Sequence, residues 1–310
     1  MPHQDHDRIA IIGAGHVGST TAYALMLRAL VREIVLIDND AALAEAEAID
    51  ISDANALARP ARIWAGNYSD AATARLVIIT AGAATHGSES RLSIAGRSAV
   101  IVRNCVDGLM AAGFDGILIV ASNPVDVMAK VALSQSGLPA SRVIGTGTLL
   151  DSSRLRQALA ARLNVASRAI EAVVIGEHGD SEVVAFSSVR VGGIPLDHFA
   201  PDEARKATEI ADIVRTAGYQ IIDGKGYTSF GVATAIVRIC EAILRDEQSA
   251  LPVSTLLTGE FGLSDVYLSL PCILGAEGIE RVLIPELTGD ETAKLRLSAA
   301  MIRQADISVS

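Results

Sequence analysis

The chain has 310 residues, a net charge of −10 and a pI near 5.1. This length allows one large or two ordinary domains, and the acidic charge repels nucleic acids and anionic membranes. Half of the residues are hydrophobic but only 4% are aromatic, which is typical of parallel strands that helices cover on both faces. No uninterrupted apolar stretch reaches the roughly 18 residues that a membrane-spanning helix needs.

The N-terminal eight residues are polar and lack the charged-then-apolar pattern of a secretory signal. The three cysteines, Cys105, Cys240 and Cys272, have no C-x-x-C spacing and are too few for a disulfide framework. Both features predict a protein of the cytoplasm with buried thiols, since reducing compartments favour free cysteines.

A short apolar run over 8–12 leads into the motif G-A-G-H-V-G. In a strand–turn–helix unit, Gly13 makes the tight turn, Gly15 lets the backbone approach a pyrophosphate, and Gly18 lets the helix lie close to its strand. The free N–H groups of the helix N-terminus attract the phosphates. The motif therefore predicts a bound dinucleotide.

A second apolar run over 33–37 ends at Asp38, at the spacing of about 20 residues expected for the acid that binds the ribose hydroxyls. A 2′-phosphate would meet this carboxylate, and the following Asn39 and Asp40 supply no arginine, so the pattern favours NAD over NADP. The alternative is that Asp38 only ends a strand and begins a turn.

Apolar strands and helices continue to alternate, which predicts an α/β fold with a doubly wound parallel sheet of the Rossmann type. Further strands are predicted at 76–80, 117–121 and 142–145, and helices near 19–30, 41–57, 92–112 and 125–136.

The pattern changes after Asp151, where the sequence predicts a C-terminal α+β substrate domain. Its strands are expected at 170–176, 182–191, 251–257, 267–274 and 279–283, and its long helices near 202–222, 226–247 and 290–305. We place the dinucleotide-binding domain at 1–147 and the substrate and catalytic domain at 148–310.

Three polar residues are candidates for hydride-transfer chemistry, which needs a proton donor and a cation for a substrate carboxylate. Asp151 and Arg154 share one face of a predicted helix start, and His178 lies between glycines directly after a strand. An Asp can orient the imidazole while an Arg holds a carboxylate with two hydrogen bonds. Taken singly, each could be a surface residue or a helix-dipole partner.

Other reactive signatures are absent from the sequence. It contains no G-x-S-x-G, H-E-x-x-H or G-K-[ST] motif, and no Tyr is followed four residues later by Lys. The first three absences argue against serine hydrolases, zinc proteases and P-loop enzymes, and the last against short-chain reductases.

Eight blocks along nearly the whole chain resemble the ordered signature of the L-lactate/malate dehydrogenase family, most closely bacterial L-lactate dehydrogenases. They are G-A-G-H-V-G (13–18), A-G-A (81–83), S-R (90–91), S-N-P-V-D (122–126), G-T-G-T (145–148), L-D-S-S-R (150–154), G-E-H-G-D-S (176–181) and G-Y-T (226–228).

The resemblance implies a role for each matching catalytic position. His178 would be the acid/base, Asp151 its orienting carboxylate, and Arg154 the clamp on the substrate carboxylate. Arg91 would polarise the carbonyl from a closing loop.

The resemblance also implies binding residues. Asn123 would hydrogen-bond near the nicotinamide and the substrate, Thr228 would line the substrate pocket, and Val232 would contact the nicotinamide ring. The cofactor contacts would include Gly13, Gly15, Val17, Gly18, Asp38, Ala81 and Gly82. No metal is implied.

The loop before Arg91 departs from the family pattern, because Thr85 stands where lactate dehydrogenases usually carry Gln and malate dehydrogenases Arg. Without a cation there, the pocket should not favour a second substrate carboxylate, and a smaller side chain could admit branched or longer 2-oxo acids. Thr85 is therefore predicted to line the substrate site.

These features favour an NAD-dependent L-lactate dehydrogenase that reduces pyruvate and forms a homodimer or homotetramer. A malate dehydrogenase or a broader L-2-hydroxyacid dehydrogenase remains an alternative. A non-catalytic NAD-binding regulator is a further alternative, although a regulator would not need a protonatable histidine beside an anion clamp.

Overall fold

The computed structural model describes residues 8–58, 61–83 and 91–309. Its N-terminal half contains six parallel strands, β1 Arg8–Ile12, β2 Glu33–Ile37, β3 Arg62–Ala65, β4 Leu76–Ile79, β5 Ile117–Val120 and β6 Val143–Gly145. The helices between them are α1 His16–Arg28, α2 Ala41–Asn55, α3 Tyr68–Ala71, α4 Arg91–Ala111 and α5 Val125–Ser136.

The six strands lie in the order β3-β2-β1-β4-β5-β6. Their order reverses between β1 and β4, which opens a crevice at the carboxyl ends of these strands. Ligands of open α/β sheets bind in such a crevice. The predicted doubly wound sheet is confirmed.

Both faces of this sheet are buried, which explains the continuous apolar runs in the sequence. In β1, Ile9 and Ile11 point into one hydrophobic cluster, and Ala10 and Ile12 point into the other. Successive side chains of a strand alternate between its faces, so the buried positions on both faces of a strand must be apolar to fill both clusters.

The C-terminal half begins with α6 Leu149–Leu163 and continues through short strands and helices. These are β7 Ile170–Glu171, β8 Val174–Ile175, β9 Val183–Val184, β10 Arg190–Val191, β11 Ile194–Pro195, α7 Leu196–Phe199, α8 Pro201–Ala204, α9 Ala207–Lys225 and α10 Phe230–Leu244. The last elements are β12 Ser249–Thr258, β13 Ser264–Gly275, β14 Gly278–Val282 and α11 Gly289–Val309.

Strands β12 to β14 extend the central sheet instead of forming a separate one. They are antiparallel and continue it past β6, where Ser254 pairs with Gly145, to give nine strands. Backbone from the C-terminal half therefore lies directly beside the last parallel strand. This edge contributes to the functional site.

Several predicted element bounds were wrong. The strands expected at 170–176 and 182–191 are each two short strands with an interruption. The helix expected at 202–222 is divided into α8 and α9, and α10 begins at Phe230 instead of 226 because Gly226 adopts φ 86° and ends α9. Strand β3 and helix α3 were not predicted.

All three cysteines are free and buried. Among the helices that the structure describes, none combines the length and the apolar character needed to cross a membrane.

Candidate active site

The glycine motif forms a tight connection between β1 and α1. Gly13 has φ 109°, its N–H donates to the Ile37 carbonyl at 2.7 Å, and its own carbonyl accepts a hydrogen bond from Thr80 Oγ1 at 2.7 Å. A Cβ at Gly18 would lie 1.8 Å from the Gly13 carbonyl oxygen. The start of α1 therefore lies directly against the turn, as the motif predicts.

Gly15 borders open space among the described residues. Apart from its chain neighbours, none of them has a heavy atom within 4 Å of the position that a Cβ on Gly15 would take. Helix α1 begins at His16 without a side-chain cap and without an acidic residue in its first turn, so its N-terminus can accept an anion. These features fit the pyrophosphate of a dinucleotide.

Asp38 has a local structural role besides the predicted ribose contact. Its Oδ2 accepts a hydrogen bond from the Ala14 N–H at 2.7 Å, and its Oδ1 accepts one from the Asp40 N–H at 3.0 Å. The carboxylate thus links the glycine turn to the end of β2.

The other predicted cofactor contacts lie around the same crevice. The Ala81 N–H donates to the Ile12 carbonyl at 3.0 Å, and Ser122 Oγ donates to the Ala81 carbonyl at 2.5 Å. Gly82 follows in the same segment, and Val17 is half-buried in the first turn of α1.

Asp151 joins the other two catalytic candidates. Its Oδ1 accepts a hydrogen bond from the Arg154 guanidinium at 2.9 Å, and its Oδ2 lies 2.5 Å from His178 Nδ1. Asp151 and Arg154 lie one turn apart on α6, and His178 comes from the loop after β8. The Asp151 side chain is only 2% exposed, whereas His178 is 27% exposed.

Burial and charge shift the pKa values of His178 and Asp151 in opposite directions. Burial lowers the pKa of His178, because it disfavours the imidazolium. The Asp151 carboxylate, aided by Asp126 and Glu182, has the larger effect and raises this pKa to about 9. Burial would also raise the pKa of Asp151, but the positive charges and hydrogen bonds of His178 and Arg154 lower it overall. Both shifts favour an ionised Asp151 beside a protonated His178.

A second buried carboxyl group, Asp126, was not predicted as a site residue. Its Oδ2 accepts a hydrogen bond from the His178 backbone N–H at 2.8 Å, and Ser254 Oγ donates to its Oδ1 at 2.5 Å. Burial raises the pKa of Asp126 to about 6. Asp126 therefore holds the backbone of the histidine loop while Asp151 holds its ring.

Asn123 and Val232 lie in the same cleft as His178. The cleft is lined by these three residues and by Ala121, Thr146, Gly147, Leu150 and Ala235. Asn123 follows β5, and its peptide bond to Pro124 is cis. The structure thus brings together predicted residues from the strand end, the histidine loop and α10.

Thr228 lies between α9 and α10, beside a contact that the sequence did not predict. The neighbouring Tyr227 ring stacks on His16, with 3.8 Å between ring centroids and 14° between planes. This stack joins the segment around Thr228 to the start of α1. Thr85 and the side chain of Arg91 lie outside the described residues.

No three His, Cys, Asp or Glu side chains are grouped as a metal site would require within 8–58, 61–83 and 91–309.

Replacing glycines of the turn should separate folding from cofactor binding. We expect Gly18→Ala to lower the free energy of unfolding by about 1–3 kcal/mol or more, because its Cβ would overlap the Gly13 carbonyl. Gly15→Ala, the matched control, should unfold at the wild-type urea concentration but bind NADH more weakly. Equal urea midpoints for both variants would contradict this account of the turn.

Asp151→Asn should lower the pKa of His178 from about 9 to below 6.5, because burial remains while the main opposing charge is removed. In the wild type, the raised pKa means that the pair stabilises the fold below pH about 6.5 and loses this contribution as the pH rises through 9. NMR titration of the His178 ring measures both values. A histidine that titrates near 9 in the variant would show that another group holds its proton.

Comparison with known proteins gives the family. Residues 7–145 match the model of the lactate/malate dehydrogenase NAD binding domain, and residues 148–307 match that of the lactate/malate dehydrogenase alpha/beta C-terminal domain. The L-lactate dehydrogenase of Thermus aquaticus is 44% identical over 96% of this chain and 98% of its own length. That of Priestia megaterium is 42% identical over 96% and 95%.

Solved structures agree with this result. The minor L-lactate dehydrogenase of Enterococcus mundtii in its ligand-bound form is 39% identical and superposes with a TM-score of 0.95, covering 98% of both chains. Its ligand-free form is 38% identical, with a TM-score of 0.90 and 97% of both chains covered. The chain belongs to the lactate/malate dehydrogenase family.

Proposed function

We propose that this protein is an NAD-dependent L-lactate dehydrogenase that interconverts pyruvate and L-lactate. The observation that carries the proposal is the Asp151 carboxylate shared by His178 and Arg154 beside a dinucleotide cradle. The named relatives are L-lactate dehydrogenases, which supports this substrate over others. Bound NADH supplies the hydride.

His178 would supply the proton. Its Nδ1 is bonded to Asp151, so its Nε2 is the nitrogen that remains for the substrate oxygen. Because its pKa is about 9, the imidazolium predominates at neutral pH and can donate to the carbonyl oxygen as the hydride is added. Asp151 stabilises the charged ring before the transfer and fixes its orientation.

Arg154 would bind the substrate carboxylate. One of its nitrogens is bonded to Asp151, and both terminal nitrogens lie within 4 Å of the position that a Cβ on Gly218 would take. Helix α9 thus limits the positions of the guanidinium, whose planar donors suit a carboxylate.

The remaining assignments follow the family resemblance. We infer that Asn123 and Val232 contact the nicotinamide end of the cofactor, that Thr228 lines the substrate pocket, and that Arg91 polarises the carbonyl. With Thr85 in the preceding loop, the pocket would prefer monocarboxylic 2-oxo acids to oxaloacetate. The cleft shared by Asn123, His178 and Val232 supports this arrangement.

We also propose a domain boundary between 147 and 148, a cytoplasmic location, and a homodimer or homotetramer. The buried free cysteines support the location. Exposed apolar side chains on α2, such as Leu43 and Ile49, support self-association. Sedimentation equilibrium would determine the number of chains.

The experiment for the function is the oxidation of NADH with pyruvate, oxaloacetate, 2-oxobutyrate or 2-oxoisocaproate at equal low concentrations. Pyruvate should react with the highest kcat/KM. Faster reaction with oxaloacetate would indicate a malate dehydrogenase, and NADH binding without turnover of any acid would indicate a regulator.

His178→Gln should lower kcat by about 10²- to 10⁴-fold with little change in NADH affinity, because it removes the proton donor. His198→Gln changes an exposed histidine on α7 and is the matched control. Stopped-flow turnover and NADH fluorescence titration measure the two effects. The assigned role is wrong if His178→Gln keeps a tenth of the wild-type kcat.

Arg154→Lys should lower kcat/KM for pyruvate by about 10- to 100-fold, because an ammonium cannot replace a planar pair of donors. Arg162→Lys, on the same helix but paired with Glu203 and Glu209, is the control. Near-normal kinetics of Arg154→Lys would place the substrate carboxylate elsewhere.

A further inference from the structure

The loop that carries His178 is held by acceptors from three different elements. Its N–H groups donate to the Ser269 carbonyl of β13, Ser298 Oγ of α11 and Asp126 Oδ2 of α5, at 2.9, 2.9 and 2.8 Å. Asp126 accepts from His178 itself, whereas the other two acceptors bind the two residues before it. The Asp126 bond therefore fixes the backbone of the residue that carries the imidazole.

Asp126 is itself held in a buried position. It is 1% exposed and lies in the first turn of α5, and its Oδ1 accepts a hydrogen bond from Ser254 Oγ, which is fully buried. Ser254 belongs to β12 and pairs with Gly145 of β6, where a Cβ would lie 2.7 Å from the Ser254 Cβ. The edge at which the C-terminal half joins the sheet thus supports the acceptor for His178.

Two properties of Asp126 act on His178, its charge and its hydrogen bond. The charge adds to that of Asp151, whose carboxylate lies 2.5 Å from the ring Nδ1. The hydrogen bond acts at a different place, because Asp126 Oδ2 is the acceptor of the backbone N–H. Loss of the acceptor for a partly buried N–H is unfavourable, so the backbone would move to regain one.

This hydrogen bond also joins two walls of the proposed active site. Asn123 lies three residues before Asp126, and it lines the same cleft as His178. The Asp126 bond therefore sets the position of the proposed proton donor relative to the segment that is proposed to contact the nicotinamide. A displacement of about 1 Å in such an arrangement lowers a reaction rate by about 100-fold.

We propose that Asp126 is a positioning residue that acts as a hydrogen-bond acceptor and fixes the backbone of His178, so that the ring reaches Asp151 and the substrate oxygen together. This inference rests on the proposed function, because it takes His178 as the proton donor. Asp126 acts through the backbone and takes no part in the proton transfer. Its negative charge is not required, since an amide also presents an oxygen to the N–H while its NH₂ group faces Ser254 Oγ.

Two variants of similar shape separate the hydrogen bond from the charge. Asp126→Asn removes the charge but keeps an oxygen for the His178 N–H, whereas Asp126→Leu removes both the charge and the acceptor. Asp126→Asn should keep kcat for pyruvate within about threefold of wild type, and Asp126→Leu should lose about 10- to 100-fold. Turnover is counted per NADH-binding site, so that unfolded protein does not contribute.

The His178 ring gives a second readout that needs no substrate. Both variants lack the Asp126 charge, so a difference between their His178 pKa values measures a change in the position of the ring relative to Asp151. NMR titration should give a pKa that is higher in Asp126→Asn than in Asp126→Leu by about one pH unit or more. The wild-type value is about 9.

The matched control is Ser298→Ala, which removes the acceptor of the N–H one residue before His178. It loosens the same loop but leaves the Asp126 bond, and it should keep the wild-type kcat and the wild-type pKa of His178. A loss in Ser298→Ala as large as that in Asp126→Leu would show that any loosening of the loop has this effect, and would overturn the assignment to Asp126.

Two other results would overturn the inference. Equal losses in Asp126→Asn and Asp126→Leu would show that Asp126 acts through its charge, and wild-type kcat in Asp126→Leu would show that it has no positioning role. If Asp126→Leu does not fold, Asp126→Ala gives the same comparison, because it also lacks an acceptor. Failure of the proposed function would appear as wild type that does not reduce pyruvate, and the His178 titrations would still decide whether Asp126 positions the ring.

Discussion

The functional geometry depends on one buried carboxylate. Asp151 is almost inaccessible to solvent and binds His178 with one oxygen and Arg154 with the other. Burial of a charge is unfavourable unless it is paired, so each cation stabilises the carboxylate and is positioned by it. The proposed proton donor and the proposed substrate clamp therefore have a fixed separation, and a change at Asp151 affects both.

The cofactor cradle, formed by the Gly13–Gly18 turn and the start of α1, depends on backbone contacts instead of a buried charge. The Gly13 carbonyl lies where a side chain on Gly18 would begin, and Asp38 ties the turn to the end of β2. This packing leaves the uncapped start of α1 beside open space. The cradle and the charged cluster meet where the cleft of Asn123, His178 and Val232 lies at the carboxyl end of β5.

Two aspartates hold His178, and their environments give them different pKa values. His178 and Arg154 lower the pKa of Asp151, whereas burial raises that of Asp126 to about 6 although it accepts two hydrogen bonds. The difference follows from the number of donors and cations near each carboxyl group. The same residue type therefore contacts the ring of His178 in one place and the backbone of its loop in the other.

The sequence by itself determined the doubly wound sheet, the glycine turn and the Asp151, Arg154 and His178 candidates. These features depend on local patterns, namely apolar runs that bury both faces of a strand, and motifs at strand ends. Only the tertiary structure decided that β12 joins the sheet at Gly145, that Asp126 holds the His178 backbone, and that His16 stacks on Tyr227. Each of these contacts joins residues far apart in the chain, where no local spacing indicates the partner.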